Sequence, residues 1–499
     1  MVQSQPEFFR TDHLLANLGS RAATSGAVTA LAQGAKFLLN LAAAAILARL
    51  LLPEDFGLVG MVLAVTGLLG LFTEIGLSNA TVQSETVTHE QVSNLFWINV
   101  ALSVLTALGC LAIAPAVAWL YRDSRVVDIM LAMSLTFLLT GSTVQHQALL
   151  IRQMRFRSKV LIEVVSMLAG ALTGCGMALL GFGYWALIGM QLCTAGSALV
   201  MTWRTSRWRP SWPRRYTGVA PLLRFGVHLS GSELIGGLAA GMDSILIGRF
   251  FGPTPLGLYN RANVLLARPL QQLLTPVSAV LIPVLSRLQG DAERYRRTFM
   301  RTYDILALAI FPFSAVCLAL SEPLVLLILG PEWIGAVPLF AGFTLVAMSL
   351  PLSLAASWLF VSQGRGRDLL DAYTVLSIVT VIAVVVGLRW GALGVVLTLA
   401  IVSLFVRLPI LYHLAGRQGP VRSVDLWGSF LSHLPCWVGA YATATLAQRA
   451  LGDASHLVEL MVCAPAGLLG GALVLPMLRR PRESARYAWR AVRQSLVST

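Results

Sequence analysis

Long apolar runs, separated by short polar gaps, recur along almost the whole of this 499-residue chain. Most runs are long enough to cross the ~30 Å hydrocarbon core of a bilayer as a helix of roughly 20 residues. The alternating pattern of a membrane β-barrel is absent, so the runs predict helices, whose backbone groups satisfy one another in lipid. With 56% hydrophobic and 12% charged residues, the composition is typical of a polytopic membrane protein and excludes a soluble domain.

The polar gaps divide the chain into about fourteen predicted membrane helices. Lys and Arg are concentrated in the gaps on one side, so the positive-inside rule places both termini in the cytoplasm. The formal charge of +14 therefore predicts contact with membrane lipids and not with nucleic acid. The predicted domains are an N-terminal segment (1–24), a bundle of helices 1–6 (25–203), a linker (204–225), a bundle of helices 7–12 (226–412), a loop (413–428), two extra helices (429–478) and a basic amphipathic tail (479–499).

One phrase, Arg-x3-Pro-x3-Gly, occurs at Arg49–Gly57 and again at Arg249–Gly257. The interval holds six predicted helices, an even number, so both copies enter the membrane in the same sense, as parallel repeats do. In each copy Pro and Gly end one helix and allow a tight turn into the next. The predicted fold class is therefore an all-α polytopic membrane protein with two parallel-repeat six-helix bundles, which is the architecture of alternating access, plus two C-terminal helices.

Polar side chains inside the predicted spans lie on single helical stripes. Ionisable groups at this depth cost about 2.5–3.5 kcal/mol each when they face lipid, so we expect a bundle interior or a watery cavity around them. Two arginines on one stripe need an anionic or carbonyl partner, which favours a lumen-facing position for Arg261 and Arg268. Arg49 and Arg249, at helix ends, either line the path or extend to the outer interface.

The carboxylates offer two further interpretations. Lys36 could form a structural pair with Glu233 or Asp243 of the seventh predicted helix. Glu163 lies near a cytoplasmic helix end and is predicted to be solvated.

Signatures of catalysis are missing from the sequence. The two lysines occur as Ala35-Lys36 and Ser158-Lys159, so neither belongs to the Gly-Lys-Ser/Thr motif of a phosphate-binding loop. Zinc-protease and nucleophile-elbow motifs do not occur either. The predicted outer loops are short and leave little room for acid and base groups. The sequence predicts no enzyme, no catalytic residue, no metal site and no cofactor beyond a coupling H⁺ or Na⁺.

Four segments resemble the Wzx-type polysaccharide flippases, and in particular their colanic-acid-type branch. The wider superfamily also holds multidrug antiporters and lipid II flippases. The resemblance covers roughly residues 20–480, and its motifs are specific for the family but not for the sugar. The segments are Leu47–Gly57, Leu150–Phe156, Asp243–Gly252 and Leu256–Ala262.

This resemblance implies transfer of an undecaprenyl-pyrophosphate-linked oligosaccharide repeat unit across the bacterial inner membrane, for exopolysaccharide or lipopolysaccharide O-antigen synthesis. A polysaccharide polymerase and a chain-length regulator are the partners that it implies. Stripe geometry, rather than the resemblance, supplies the candidate residues. They are Lys36, Arg261 and Arg268 for phosphate, Gln33, Asn40 and Gln272 for sugar, Arg49 and Arg249 as secondary contacts, and Glu233 and Asp243 for coupling to protons or sodium.

Three alternatives stay open at this point. A multidrug cation antiporter needs an acidic, aromatic cavity, whereas the deep charges here favour an anion. A lipid II flippase differs from the first interpretation only in the sugar. A polymerase or ligase of lipid-linked glycans is weakened by the short outer loops.

Overall fold

A computed structural model of the chain describes residues 18–71, 73, 77–84, 87–214, 241–452, 454–478 and 480–487. These residues form helices joined by short turns, and no strand occurs among them. Ten stretches within them are long and apolar enough to cross a membrane. The predicted all-α polytopic membrane fold is thereby confirmed. The total of about fourteen crossings stays a prediction, because part of the chain lies outside the described residues.

The chain divides into two compact units, and the first comprises residues 1–257. Prolines begin two helices here, because a proline at the first helical position loses no hydrogen bond. The helices of this unit are α1 (Leu18–Leu50), α2 (Pro53–Gly70), α3 (Leu77–Gln83), α4 (His89–Tyr121), α5 (Arg125–Gly141), α6 (Val144–Arg152), α7 (Phe156–Leu179), α8 (Trp185–Ser206), α9 (241–251) and the first turn of α10 (Pro253–Arg287).

The second unit comprises residues 258–499. It contains most of α10, followed by helices that are interrupted by three 3₁₀ turns and by one π-helical turn at Ser403–Arg407. These helices are α11 (Ala292–Ala319), α12 (Ser321–Leu329), α13 (Val337–Ser362), α14 (Gly366–Gly387), α15 (Gly391–Val402), α16 (Leu408–Gly416), α17 (Ser423–Leu451), α18 (His456–Leu473) and α19 (480–487).

Small residues bring neighbouring helices into close contact in both units, as is usual in lipid. A Cβ atom added to Gly170 of α7 would lie 1.9 Å from Thr194 Oγ1 of α8. In the second unit a Cβ atom on Gly470 of α18 would lie 1.8 Å from Thr443 Oγ1 of α17. Large apolar side chains face outward instead, such as Leu172, which is 65% exposed. This arrangement matches helices whose outer faces contact lipid and whose inner faces pack through glycine.

The described part of the predicted linker, residues 204–214, packs against the start of α4. Trp208 is 3% exposed and belongs to a hydrophobic cluster with residues of α4 and α6. Its indole N–H donates to Nδ1 of His89 at 3.1 Å. The indole N–H of Trp97 donates to the carbonyl oxygen of Ser211 at 2.8 Å. Over these residues the segment is an integral part of the first unit, and residues 215–225 lie outside the described part of the chain.

Candidate functional site

A three-residue charge cluster lies between α1 and α7 in the first unit. Lys36 Nζ donates to Glu163 Oε2 at 2.6 Å, and Lys159 Nζ donates to Glu163 Oε1 at 2.6 Å. The side chains of Lys36, Glu163 and Lys159 are 17%, 32% and 31% exposed. One carboxylate is thus shared by both lysines of the chain, and the cluster keeps one net positive charge. A net cation that is partly shielded from water favours an anionic ligand.

This cluster corrects two interpretations of the sequence. Glu163 is an ion-pair partner and not simply a solvated carboxylate. Lys36 pairs with Glu163, whereas the structural alternative in the sequence analysis was a pair with Glu233 or Asp243. The other two candidate residues of α1 differ in exposure, since Gln33 is half-buried and Asn40 is exposed.

The two copies of the repeated phrase contact each other inside the first unit. A Cβ atom added to Gly57 would lie 1.8 Å from the carbonyl oxygen of Pro253, and one added to Gly257 would lie 1.9 Å from that of Pro53. Any side chain at either glycine would therefore collide with backbone. The first turns of α2 and α10 meet through reciprocal glycine-to-carbonyl contacts, which is the geometry of a weak Cα–H···O pair between helices. We call these four residues the Pro–Gly contact.

Arg125, at the start of α5, links α2 to the turn that precedes α5. Its guanidinium donates to Glu54 Oε1 of α2 at 2.8 Å and to Asp123 Oδ2 of the preceding turn at 2.8 Å. The hydrogen bonds from Arg125 hold the pKa of Asp123 below its usual range, against an opposing effect of burial. Asp55, next to Glu54, accepts from the Leu52 backbone N–H at 3.0 Å and fixes the start of α2. The first turn of α2 is thus positioned by charge as well as by packing.

The remaining candidates of the first unit lie close to the Pro–Gly contact in the sequence. Arg49 is exposed, and Arg249 is half-buried with its guanidinium 5.9 Å from the ring centroid of the next residue. Asp243 is half-buried in α9, and its Oδ1 atom accepts from the backbone N–H of Ser244 at 2.6 Å. Glu233 lies outside the described residues.

The second unit holds the α10 stripe. Arg261 and Gln272 are half-buried, and Arg268 is exposed. The guanidinium groups of Arg261 and Arg268 repel each other electrostatically. Prolines at positions 269, 276 and 283 leave three carbonyl groups of this helix without their usual N–H donor. The helix therefore combines two arginines with carbonyl groups that lack an intrahelical donor, which suits a polar surface better than lipid.

Sequence patterns missed Glu163 and the Pro–Gly contact. The four-residue spacing of Lys159 and Glu163 was a usable signal for an ion pair. The repeated phrase indicated that its two copies occupy equivalent positions, but it did not indicate that the two copies contact each other. Among the described residues, no group of three His, Cys, Asp or Glu side chains is placed to hold a metal ion.

Comparison with known proteins provides an independent line of evidence. A family model described as polysaccharide biosynthesis protein matches residues 46–338. The succinoglycan biosynthesis transport protein ExoT of Rhizobium meliloti is 31% identical over 294 residues. That match spans about three fifths of the length of ExoT, since it covers 59% of each chain. The lipopolysaccharide biosynthesis protein WzxC of Escherichia coli is 24% identical over 415 residues, which cover 81% of this chain and 84% of WzxC.

Two solved structures share the fold. The lipid II flippase MurJ in its inward closed conformation superimposes with a TM-score of 0.69 at 13% identity, over 89% of this chain and 99% of MurJ. An inward-facing multidrug transporter of the MATE family, from the MOP superfamily, gives a TM-score of 0.56 at 14% identity. That match covers 79% of this chain and 92% of the transporter.

Proposed function

We propose that this chain, which belongs to the polysaccharide biosynthesis protein family, is a flippase for a lipid-linked oligosaccharide. The observation that carries the proposal is the family match, which includes both copies of the repeated phrase and continues into the second unit, as far as residue 338. The names of two relatives, a succinoglycan transport protein and a lipopolysaccharide biosynthesis protein, support it. So does a membrane fold shared with a lipid II flippase.

The substrate class follows from the chemistry of the problem. A pyrophosphate that carries a glycan cannot cross hydrocarbon unaided, because burying an unpaired charge is prohibitive. Undecaprenyl pyrophosphate is the proposed carrier lipid, and the bacterial inner membrane, with both termini in the cytoplasm, is the proposed location. The net positive cluster at Lys36 and the arginines of α10 are the proposed phosphate contacts. Gln33, Asn40 and Gln272 are the proposed sugar contacts.

Transport is proposed to proceed by alternating access, and the Pro–Gly contact is proposed to close one exit of the transport path. Reciprocal glycine contacts suit that role. They allow the two helices to pack closely, and glycine has no side chain that would have to move when the helices separate. Arg49 and Arg249 flank the contact in the sequence and are secondary candidates for substrate contact. Asp243 and Glu233 are the proposed coupling groups for H⁺ or Na⁺. A polysaccharide polymerase and a chain-length regulator are the proposed protein partners.

The alternatives are less favoured. A multidrug antiporter and a lipid II flippase are supported only by the shared fold at 13–14% identity. A polymerase or ligase has no support from the names of the relatives, since they describe transport and biosynthesis proteins without a named enzymatic activity.

Complementation tests the proposal in cells. In a strain that lacks its own flippase for the same glycan, the wild-type chain should restore surface polysaccharide. Arg268→Ala should abolish restoration while the protein stays in the membrane, because it removes a proposed phosphate contact. Arg287→Ala, an exposed arginine in the last turn of the same helix, is the matched control. Full restoration of surface polysaccharide by Arg268→Ala would show that Arg268 is not a phosphate contact. No restoration by the wild type would contradict the proposed function.

A further inference from the structure

A charged groove lies in the second unit, apart from every residue proposed to contact the transported substrate. It has a volume of about 530 Å³ and is formed by the first turns of α11, the start of α17 and the short helix α19. We call it the arginine groove, after its five arginines. They are Arg296, Arg297, Arg301, Arg480 and Arg486.

Two of these arginines are already neutralised. Arg296 binds Asp425 with two hydrogen bonds, at 2.6 and 3.1 Å. Arg297 donates to Glu293 at 3.2 Å, one helical turn away. A third carboxylate of the groove, Asp304, accepts from the hydroxyl of a serine in α17. Glu483 is the fourth carboxylate that lines the groove, and a hydroxyl donor leaves the charge of Asp304 unchanged. Five arginines therefore face four carboxylates, and the groove keeps one net positive charge.

Among the described residues, the other three arginines form no direct ion pair and line a groove with one net positive charge. Within the described part of the chain, no carboxylate oxygen lies within the 4.0 Å ion-pair distance of Arg301, Arg480 or Arg486. Arg301 stacks over the ring of Tyr487 at 4.9 Å, so its guanidinium is oriented by a contact that leaves N–H donors available. Arg480 extends over α17, where a Cβ atom on Gly428 would lie 2.9 Å from its Nη1 atom. Three guanidinium groups thus converge from two helices.

Guanidinium groups in this number point to a phosphate. The planar fork of arginine donates two parallel hydrogen bonds to phosphate oxygens, which a point charge such as lysine cannot do. The volume lies within the usual range for small-molecule sites, about 300–1,000 Å³, and exceeds what one inorganic phosphate needs. A phosphate with an attached polar group is the better fit.

The position of the groove favours a lipid as the source of that phosphate. It lies at the end of α11, a helix long and apolar enough to cross the membrane. Beside it, Val424 in the first turn of α17 is 78% exposed, and Leu431 two turns further is 59% exposed. An apolar outer face that begins next to an arginine cluster matches the boundary between acyl chains and head groups. We propose that the arginine groove binds the phosphate head group of an anionic phospholipid, which fastens α19 to α11 and α17.

Lipid binding to the purified full-length protein tests this inference. Phosphatidylglycerol added to the protein in a neutral detergent should raise the thermal unfolding midpoint, and phosphatidylcholine should not. Arg480→Gln should weaken the phosphatidylglycerol effect about tenfold in lipid concentration, the loss expected for one charge-assisted contact. Arg482→Gln is the matched control, because it removes the same charge from the same exposed helix without lining the groove.

Two outcomes would overturn the inference. Equal responses of Arg480→Gln and Arg482→Gln would show only a general attraction between lipid and basic surface. An equal rise in midpoint with inorganic phosphate alone would assign the groove to a free anion. Native mass spectrometry provides a readout that does not depend on unfolding. The Arg480→Gln protein should carry one phosphatidylglycerol fewer than the Arg482→Gln protein, and an identical lipid count would contradict the site.

Discussion

Glu163 is the shared ion-pair partner of Lys36 and Lys159 in the first unit. A lysine inside a membrane helix is costly unless it is paired or hydrated, and Glu163 supplies the pairing at 2.6 Å. The same carboxylate also holds Lys159 at 2.6 Å, so it cannot fully neutralise either cation. Lys36 therefore has two possible roles, as a partner of Glu163 or as a cation that an anionic substrate completes.

A set of charge substitutions separates these two roles. If Lys36 contacts phosphate, Lys36→Gln should lower transport about tenfold or more, since one charge-assisted contact is lost. The double variant Lys36→Gln/Glu163→Gln should then stay equally slow. Lys159→Gln, which removes the other partner of the same carboxylate, is the matched control and should transport almost normally. Recovery of transport in the double variant would instead show that Lys36 serves only to neutralise Glu163.

The sequence located Lys36 but not its partner, and the reason is physical. Helical periodicity reports which residues share a face of one helix. It carries no information about which helix packs against that face. Glu163 is 127 residues away from Lys36, so only the packing of α1 on α7 could reveal the pair. The exposure of Asn40 and Arg268 was beyond reach for the same reason.

At the scale of helices, the Pro–Gly contact is the most constrained feature of the first unit. Gly57→Ala and Gly257→Ala should each destabilise the protein by about 1–3 kcal/mol, as overpacking does, because the new methyl group would collide with a carbonyl oxygen. Gly67→Ala is the matched control in α2, where an added Cβ atom would meet nothing within 4 Å. Thermal unfolding midpoints of the three purified variants provide the comparison.

The control should be neutral or slightly stabilising, since alanine favours a helix over glycine by about 1 kcal/mol. Equal midpoints for Gly57→Ala and Gly67→Ala would mean that the first turns of α2 and α10 are not in contact in the membrane. A loss of transport in Gly57→Ala without a loss of stability would fit the proposed role of the contact in closing one exit.

The docked segment 204–214 is the second element that carries an energetic prediction. Trp208→Ala should destabilise the protein by about 3–5 kcal/mol, the usual cost of removing a buried tryptophan, because Trp208 is only 3% exposed. Trp212 is the control in the same segment. It is 79% exposed and stacks on Trp97 at 5.3 Å, so Trp212→Ala should cost less than about 1.5 kcal/mol. Equal unfolding midpoints for both variants would contradict the docking.

Long helices were predictable from the sequence, whereas their interruptions were not. The Pro and Gly residues of both repeat copies correctly predicted a break between two helices. The expected turn through Gly57 and Gly257 was wrong, because α2 and α10 begin at Pro53 and Pro253 and both glycines lie in the first turns of these helices. The break between α5 and α6, at Ser142 and Thr143, is marked in the sequence only by Gly141, the last residue of α5. The residues on both sides of the break are mostly apolar, so the sequence pattern predicted one continuous helix there. The docking of 204–214 was hidden because its arginines and prolines are also typical of a loose connection.

At the scale of the whole molecule, the chain has a duplicated phrase, two compact units and a family match that runs from the first unit into the second, as far as residue 338. Coupling to an ion is the proposal that concerns the complete transport cycle. In sealed vesicles, an imposed proton or sodium gradient should accelerate transport by the wild type. Asp243→Asn should reduce that acceleration, because it removes a half-buried carboxylate of α9. Wild-type transport rates that do not change with either gradient would exclude a coupling role for the carboxylates.

The most direct test of the proposed function is transport by the purified protein alone. Vesicles would contain the chain and an undecaprenyl-pyrophosphate-linked oligosaccharide in the inner leaflet, and a glycan-cleaving enzyme outside would report its arrival in the outer leaflet. A flippase predicts cleavage much faster than in protein-free vesicles, and slower cleavage with Lys36→Gln than with Lys159→Gln. Cleavage no faster than in protein-free vesicles, by a folded and correctly inserted protein with and without an ion gradient, would contradict the function.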